Sequence, residues 1–285
     1  MTRADDRSLL VAALAIIGAA NAVIRPVTVA VEQQGLLSAA VNGFGVNLAV
    51  WLALALAIAG IVSRRGPPLE RRDLVVAAVV LGVLMVPSSS ASWLVLALLA
   101  AWIGLDRGLS AAQRAGVVVL FVVAIREPLL TSLIHLFNTQ LLALDAILTS
   151  LALSPFVEGA RADGNMVVAD DGVRLVVLSS CSSLANLSFA MLFWFSITRT
   201  LMTRITPTAW RAGIAIGLLV VAQNVGRLAV MASSGERYDY LHGDSGRPLL
   251  EAGMLVSVIL LTLWGVRHVI ADMVGHRAAG ASRSG

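Results

Sequence analysis

An all-α polytopic membrane protein of about eight transmembrane helices is the fold class the sequence predicts, and three observations carry that expectation. Hydrophobic residues make up 58% of the 285 positions and the mean hydropathy is +0.86, outside the usual composition of soluble domains. Charged residues, 13% of the chain, gather in short polar gaps. The apolar runs between those gaps are long enough to cross ~30 Å of hydrocarbon as helices.

In chain order, the runs predict spans at about 8–31, 38–62, 73–88, 91–105, 115–136, 182–203, 209–232 and 248–271. The opening "MTRADDRSLLVAALAIIGAANAVI" reads as a retained first span, because no clear small-residue cleavage site leads into a soluble domain. The third and fourth spans are short. "MVPSSSASW" between them, with Pro87 and a run of three serines, predicts either a tight hairpin or one long kinked element.

Loop arginines set the orientation, because short cytoplasmic loops collect them. "SRRGPPLERRD" carries Arg64, Arg65, Arg71 and Arg72, and "TRTLMTRITPTAWR" carries Arg199, Arg204 and Arg211. The tail adds Arg267, Arg277 and Arg283. Alternating from an inside N-terminus, eight spans put all three groups on the cytoplasmic side, and put 137–181 and 233–247 on the opposite face.

Segment 137–181 holds more than a connection. "NTQLLALDAILTSLALSPF" is a moderately amphipathic helix expected in the outer interface. Two β-rich runs follow, Met166–Ala169 and Arg174–Leu178, split by Asp170-Asp171-Gly172, a hairpin signal. The chain then divides as one integral membrane domain: N-terminal spans 1–136, an extracytoplasmic helix and hairpin 137–181, a three-span unit 182–271 and a cytoplasmic tail 272–285.

Composition also excludes. Every basic group is an arginine, and the net charge of +4 distributed over loops does not imply nucleic acid. Cys181 is the sole cysteine, so there is no internal disulfide and no cysteine-cluster metal site. His135, His242, His268 and His276 are too scattered for a linear metal motif.

Chemistry-bearing residues concentrate in the three-span unit. In "LSSCSSLANL", Cys181 sits between serine pairs at the start of an apolar helix. Serines there can cap backbone N–H groups, and within the first turn the helix dipole would favour a thiolate. The alternative is a small hydrophobe packed at a helix end. The seventh span holds Gln223, Asn224 and Arg227 in "VVAQNVGRLAV". Asn224 and Arg227, three apart, share a face, and an arginine at that depth either has a partner or function or snorkels to the headgroups. Asn224 and Gln223 read equally as helix-packing hydrogen-bonders. His242, in "YDYLHGDSG", is a general acid or base candidate or a solvated loop group. A cysteine nucleophile needs such an acid or base and an electrostatic group for the oxyanion, and the predicted topology puts all three on one face.

The order of these residues resembles the exosortase and archaeosortase family of membrane-embedded cysteine transpeptidases. The similarity rests on "CSSL" at Cys181, "NVGR" from Asn224 to Arg227, "HGDSG" from His242 to Gly246, the preceding hairpin and the eight-span layout. It is specific over about 155–250. The chain departs from the family at Ser183, where a glycine is usual. The resemblance implies catalytic roles for Cys181, Arg227 and His242, with Asn224, Ser182, Ser183 and Gly246 orienting or binding substrate. It implies cleavage of a C-terminal sorting signal (a short motif, a transmembrane helix and a basic tail) on exported proteins at the extracytoplasmic face of the cell membrane. A lipid or envelope component would accept the acyl group, with no metal or organic cofactor. Two other readings are a transporter or channel component, drawing on Arg25 before Pro26 and on Arg126-Glu127 before Pro128, and a catalytically silent scaffold of an envelope-polysaccharide export system.

Overall fold

In a bilayer the backbone must satisfy its own polar groups, so long apolar runs become helices. The computed structural model describes residues 6–63, 68–169, 174–242 and 246–281, with the side chains of Ser180, His242, Arg247 and residues 273–281 outside that description. Its helices are α1 (Asp6–Gln34), α2 (Leu36–Val41), α3 (Leu48–Ile61), α4 (Arg71–Leu84), α5 (Ser89–Gly104) and α6 (Ala111–Leu153). Strands β1 (Arg161–Asp163), β2 (Met166–Val168) and β3 (Arg174–Val176) precede α7 (Ser183–Leu201), α8 (Pro207–Ala232), α9 (Gly235–His242) and α10 (Gly246–Ala281). Among the described residues, five helices are long and apolar enough to cross a membrane: α1, α6, α7, α8 and the Pro248–Asp272 part of α10. The protein is a helical membrane protein with one small sheet.

Where the elements differ from the predicted spans, local chemistry explains the difference. The expected second span is broken into α2 and α3 because Gly43, Phe44 and Gly45 all take positive φ, at 67°, 57° and 71°, a conformation no right-handed helix can contain. Trp51 Nε1 ties the break down by donating to the Gly43 carbonyl at 2.9 Å. Around Pro87, α4 and α5 are separate helices, and the Ser88 side chain caps α5 by accepting from the Ala91 amide. Asn21 of α1 secures that turn with its Nδ2, which donates to the Leu84 carbonyl at 3.1 Å and to Ser92 Oγ at 2.9 Å.

The expected fifth span and interfacial helix form a single element, α6, of 43 residues. A straight helix of that length would run ~65 Å, about twice the hydrocarbon thickness. It contains Pro128 and a non-helical residue, Phe137 (φ −125°, ψ 20°), at the boundary where the interfacial helix was expected to begin.

The chain forms two compact units, residues 1–129 with 195–205, and residues 130–194 with 206–285. In the first unit α1 packs on α3, α4 and α5. Backbones of α3 and α6 approach closely at Gly60 and Gly116: a Cβ on Gly116 would lie 2.5 Å from the Ala57 carbonyl oxygen, so only glycine fits. At one end of this unit the buried Arg7 meets two carboxylates. Its Nη1 donates to Asp106 Oδ2 at 2.5 Å, and its Nε stands 3.1 Å from Asp73 Oδ2, an ion pair by proximity without hydrogen-bond alignment.

In the second unit the strands form an antiparallel sheet in the order β1-β2-β3. The predicted pairing of β2 with β3 is present, in register Val167↔Leu175, while Asp170–Val173 of the expected turn lie outside the described residues. β1 was not anticipated. It pairs with β2 across Gly164-Asn165, and Gly164 takes φ +59° at the first turn position, where a two-residue hairpin of the II′ kind needs glycine. Val167, Leu175 and Val177 pack with Leu142 and Leu153 of α6 and Leu228 of α8 in one apolar cluster.

The Arg7 cluster generates a pH prediction. Asp106 is held below its ordinary carboxylate value of 3.8, first by the Gly108 amide and then by Arg7. A depressed carboxyl stabilises the fold above its unfolded value, and the contribution is lost as pH falls through the folded value. Arg7→Ala, which strands the buried Asp73, is expected to cost ~3–5 kcal/mol. Asp106→Asn is expected to lower the thermal midpoint of the detergent-solubilised protein at pH 7, with the gap to wild type closing below pH 3.8. A gap independent of pH would contradict this.

Candidate functional site

The Cys181 region is built from the end of the sheet and the start of α7. β3 leads to Val177, whose amide donates to the Asn165 carbonyl at 2.9 Å and whose carbonyl accepts from Asn165 Nδ2 at 3.1 Å. Asn165 therefore anchors the strand's exit. A 3₁₀ turn, Ser179–Cys181, follows, with the Cys181 amide donating to the Leu178 carbonyl at 2.9 Å.

Cys181 lies just before α7, outside its first turn. Ser182 occupies the cap, with extended backbone angles (φ −68°, ψ 140°) and an Oγ that accepts from the Leu184 amide at 3.2 Å. Ser183 is the first helical residue. The condition under which the helix dipole would act on the thiol from within the first turn is not met. The thiol is half-buried and packs against the apolar cluster that contains Leu228 and borders Leu241.

Asn224 is the hub of the site. It is fully buried on α8, and its Nδ2 donates to the Cys181 carbonyl at 2.9 Å and to Ser183 Oγ at 3.0 Å. Asn186 Nδ2, on α7, donates to Asn224 Oδ1 at 3.3 Å. These bonds commit both ends of the amide, so Asn224 orients the chain's own backbone at the cysteine. Ser183, the residue standing where the resembled family has glycine, uses its hydroxyl in this network.

Arg227 lies one turn further along the same helix and is partly buried. Among the described residues its buried Nε has no hydrogen-bond partner, and neither has Oε1 of Gln223, four residues before it. Gln223 Nε2 donates to Ser257 Oγ of α10 at 3.3 Å. Unpaired buried donors and acceptors are rare, and here two fall on one face of one helix, adjacent to the Asn224 hub. Among the described residues no group of three or more metal-ligating side chains is present.

His242 closes α9, and the position of its imidazole lies outside the described residues, as does Asp244. Gly246 starts α10 against the end of α9: a Cβ there would fall 2.5 Å from the Tyr240 carbonyl oxygen. That close approach accounts for glycine at this position by packing. The structure thus brings Cys181, Ser182, Ser183 and Asn224 into one network, with Arg227 a turn away.

Two members of this network were not singled out from the sequence. Asp145 of α6, 4% exposed, accepts from the Ser183 amide with its Oδ2 at 3.0 Å. The signal was legible: Asp145 is the sole acidic residue between Glu127 and Glu158, and a carboxylate within an otherwise apolar stretch ordinarily has a partner or a role. Asn186, also overlooked, lies three residues from Ser183 in the first turn of α7.

No protein-family model, no curated protein and no solved structure matches the chain.

Removing the hub has a defined cost. Asn224→Ala leaves the Cys181 carbonyl and the Ser183 hydroxyl without their donor, an expected loss on the order of 1–3 kcal/mol. Thermal unfolding of the purified protein should show it. Because Cys181 is the sole cysteine, faster maleimide labelling should report the loosened turn in the same sample. Wild-type values in both measurements would show that Asn224 does not hold the turn.

Proposed function

We propose that the protein is a membrane cysteine peptidase and transpeptidase that cleaves exported proteins at a C-terminal sorting signal and transfers them to an envelope acceptor. One observation supports this most: the sole cysteine sits in a turn whose carbonyl is held by a buried asparagine, and the same helix face continues one turn on to an arginine whose buried Nε has no partner among the described residues. A buried guanidinium nitrogen that meets no hydrogen-bond acceptor among the described residues is uncommon in an arginine that serves packing alone. The order Cys181, Asn224-x-x-Arg227, His242 and its resemblance to exosortases and archaeosortases supply the rest.

In this reading the Cys181 thiolate attacks the carbonyl carbon of the scissile amide, and Arg227 stabilises the resulting oxyanion. Collapse breaks the C–N bond. The amine leaves with a proton from the His242 imidazolium, and the acyl group remains on Cys181 as a thioester. An acceptor amine or hydroxyl gives its proton to neutral His242 as it attacks that carbonyl, and the thiolate is expelled. Each proton taken is returned, and no redox partner enters.

The full eight-span topology belongs to this proposal, with the site at the extracytoplasmic face of the cell membrane. It is supported by the first unit, where Arg7, Asp73 and Asp106, all assigned to the cytoplasmic side by alternation of spans, meet at one end. Of the residues on which the rival transporter reading draws, Arg25 is exposed on α1 and Arg126 is ion-paired with Glu127 at 2.9 Å.

Co-expression with a reporter ending in a motif, a transmembrane helix and an arginine-rich tail tests the reaction. Cys181→Ala should give no conversion. Arg227→Ala should lose on the order of 10²–10³-fold in rate, and His242→Ala on the order of 10²–10⁴-fold. Unchanged conversion in the Cys181→Ala protein would overturn the proposal in favour of a transporter or scaffold.

A further inference from the structure

We propose that Asp145 is a positioning residue for Cys181, fixing the turn that presents the thiol by accepting the first backbone N–H of α7. The inference deepens the acyl-transfer reading and, for its turnover measurement, rests on it.

The turn containing Cys181 is held from two sides. From α8, Asn224 donates to the Cys181 carbonyl and the Ser183 hydroxyl. From α6, Asp145 Oδ2 accepts from the Ser183 amide at 3.0 Å. The first N–H groups of a helix have no partner within it, and away from water each must be met by a side chain. Ser182 Oγ takes the Leu184 amide, and Asp145 takes the Ser183 amide.

Why a carboxylate, in a helix that is otherwise apolar at this point? Asp145 is 4% exposed, and Leu142 and Ala146 beside it belong to the apolar cluster against which Cys181 packs. Burying a carboxylate there is costly without a strong partner. A serine or asparagine on α6 could accept the same hydrogen bond more cheaply. The carboxylate adds attraction to the positive end of α7 on top of the 3.0 Å hydrogen bond itself. Such a bond locks the Ser182–Ser183 step relative to α6, and with it the position of Cys181, two residues before Ser183.

This geometry permits a test on the donor as well as the acceptor. Ser183 is the first helical residue of α7, a position that favours proline. Ser182 has φ −68° and ψ 140°, the extended region a residue before proline requires. Ser183→Pro therefore removes the donated N–H while α7 keeps its start, and Ser183→Ala controls for the lost hydroxyl.

The full-length protein in nanodiscs would be labelled at Cys181 with N-ethylmaleimide, and conversion of the tailed reporter measured in parallel. Asp145→Ala is expected to raise the labelling rate several-fold and to cut conversion by at least ~10-fold, the scale on which a small misplacement of a reacting group acts. Asp145→Asn, which keeps an acceptor oxygen, should recover most of both. Ser183→Pro should match Asp145→Ala when each is compared with its control, and combining the two should add nothing further. Wild-type labelling and conversion in Asp145→Ala, an Asp145→Asn protein as impaired as Asp145→Ala, or full additivity with Ser183→Pro would each overturn the proposal. If Asp145→Ala does not accumulate folded, Asp145→Asn and the two Ser183 variants decide the matter. Should Cys181→Ala still convert the reporter, the acyl-transfer reading falls, while labelling continues to report on the anchor.

Discussion

The N-terminus of α7 is the point on which the second unit depends. A helix that begins within a low-dielectric surrounding exposes backbone donors that no water reaches, and each must find an oxygen. Ser182 and Asp145 supply two, while Asn224 holds the carbonyl of the residue just outside the helix. These contacts join α6, α7 and α8 around a single turn. Since that turn contains the only thiol in the chain, the arrangement that satisfies the backbone also sets where the sulfur can be. The positive end of α7 is already occupied by the Asp145 carboxylate, so in the proposed chemistry Arg227 carries the stabilisation of negative charge.

Several polar groups elsewhere in the protein are met by partners. Arg7 has Asp73 and Asp106, Asn21 has the Leu84 carbonyl and Ser92, and Trp194 Nε1 has the Ala209 carbonyl at 3.2 Å. Nε of Arg7 also lacks an aligned hydrogen bond, but two carboxylates stand beside that guanidinium, whereas Nε of Arg227 and Oε1 of Gln223, on one face of α8, have no partner among the described residues. Some hydroxyls, such as Thr149 Oγ1, are also buried without a partner among the described residues, but a neutral hydroxyl left alone costs less than a nitrogen of a charged group.

Hydropathy made the membrane class and most helix positions legible, because a run of twenty apolar residues has one stable outcome in lipid. Breaks were harder to read. The kink at Gly43-Phe44-Gly45 depends on backbone angles that hydropathy does not register, and the joining of the fifth span to the interfacial helix turns on one residue, Phe137. Asp170-Asp171-Gly172 announced the β2–β3 hairpin, yet β1 was missed because "RAD" has little strand propensity and pairs only by virtue of the Gly164-Asn165 turn. At the site, residue types identified Cys181, Asn224 and Arg227, but not Asp145. Its partner is a backbone amide 38 residues away, and a pattern of side chains carries no mark of a backbone amide.

The Arg7 cluster also bears on how the chain is made. Arg7 lies at the start of α1, and the carboxylate it pairs with most closely, Asp106, follows it by 99 residues. During synthesis α1 therefore spends the time needed to produce α2 through α5 with its arginine lacking that partner. Only when the loop before α6 emerges can the lock close. The arginine's closest ion pair can therefore form only after α2 through α5 have been made.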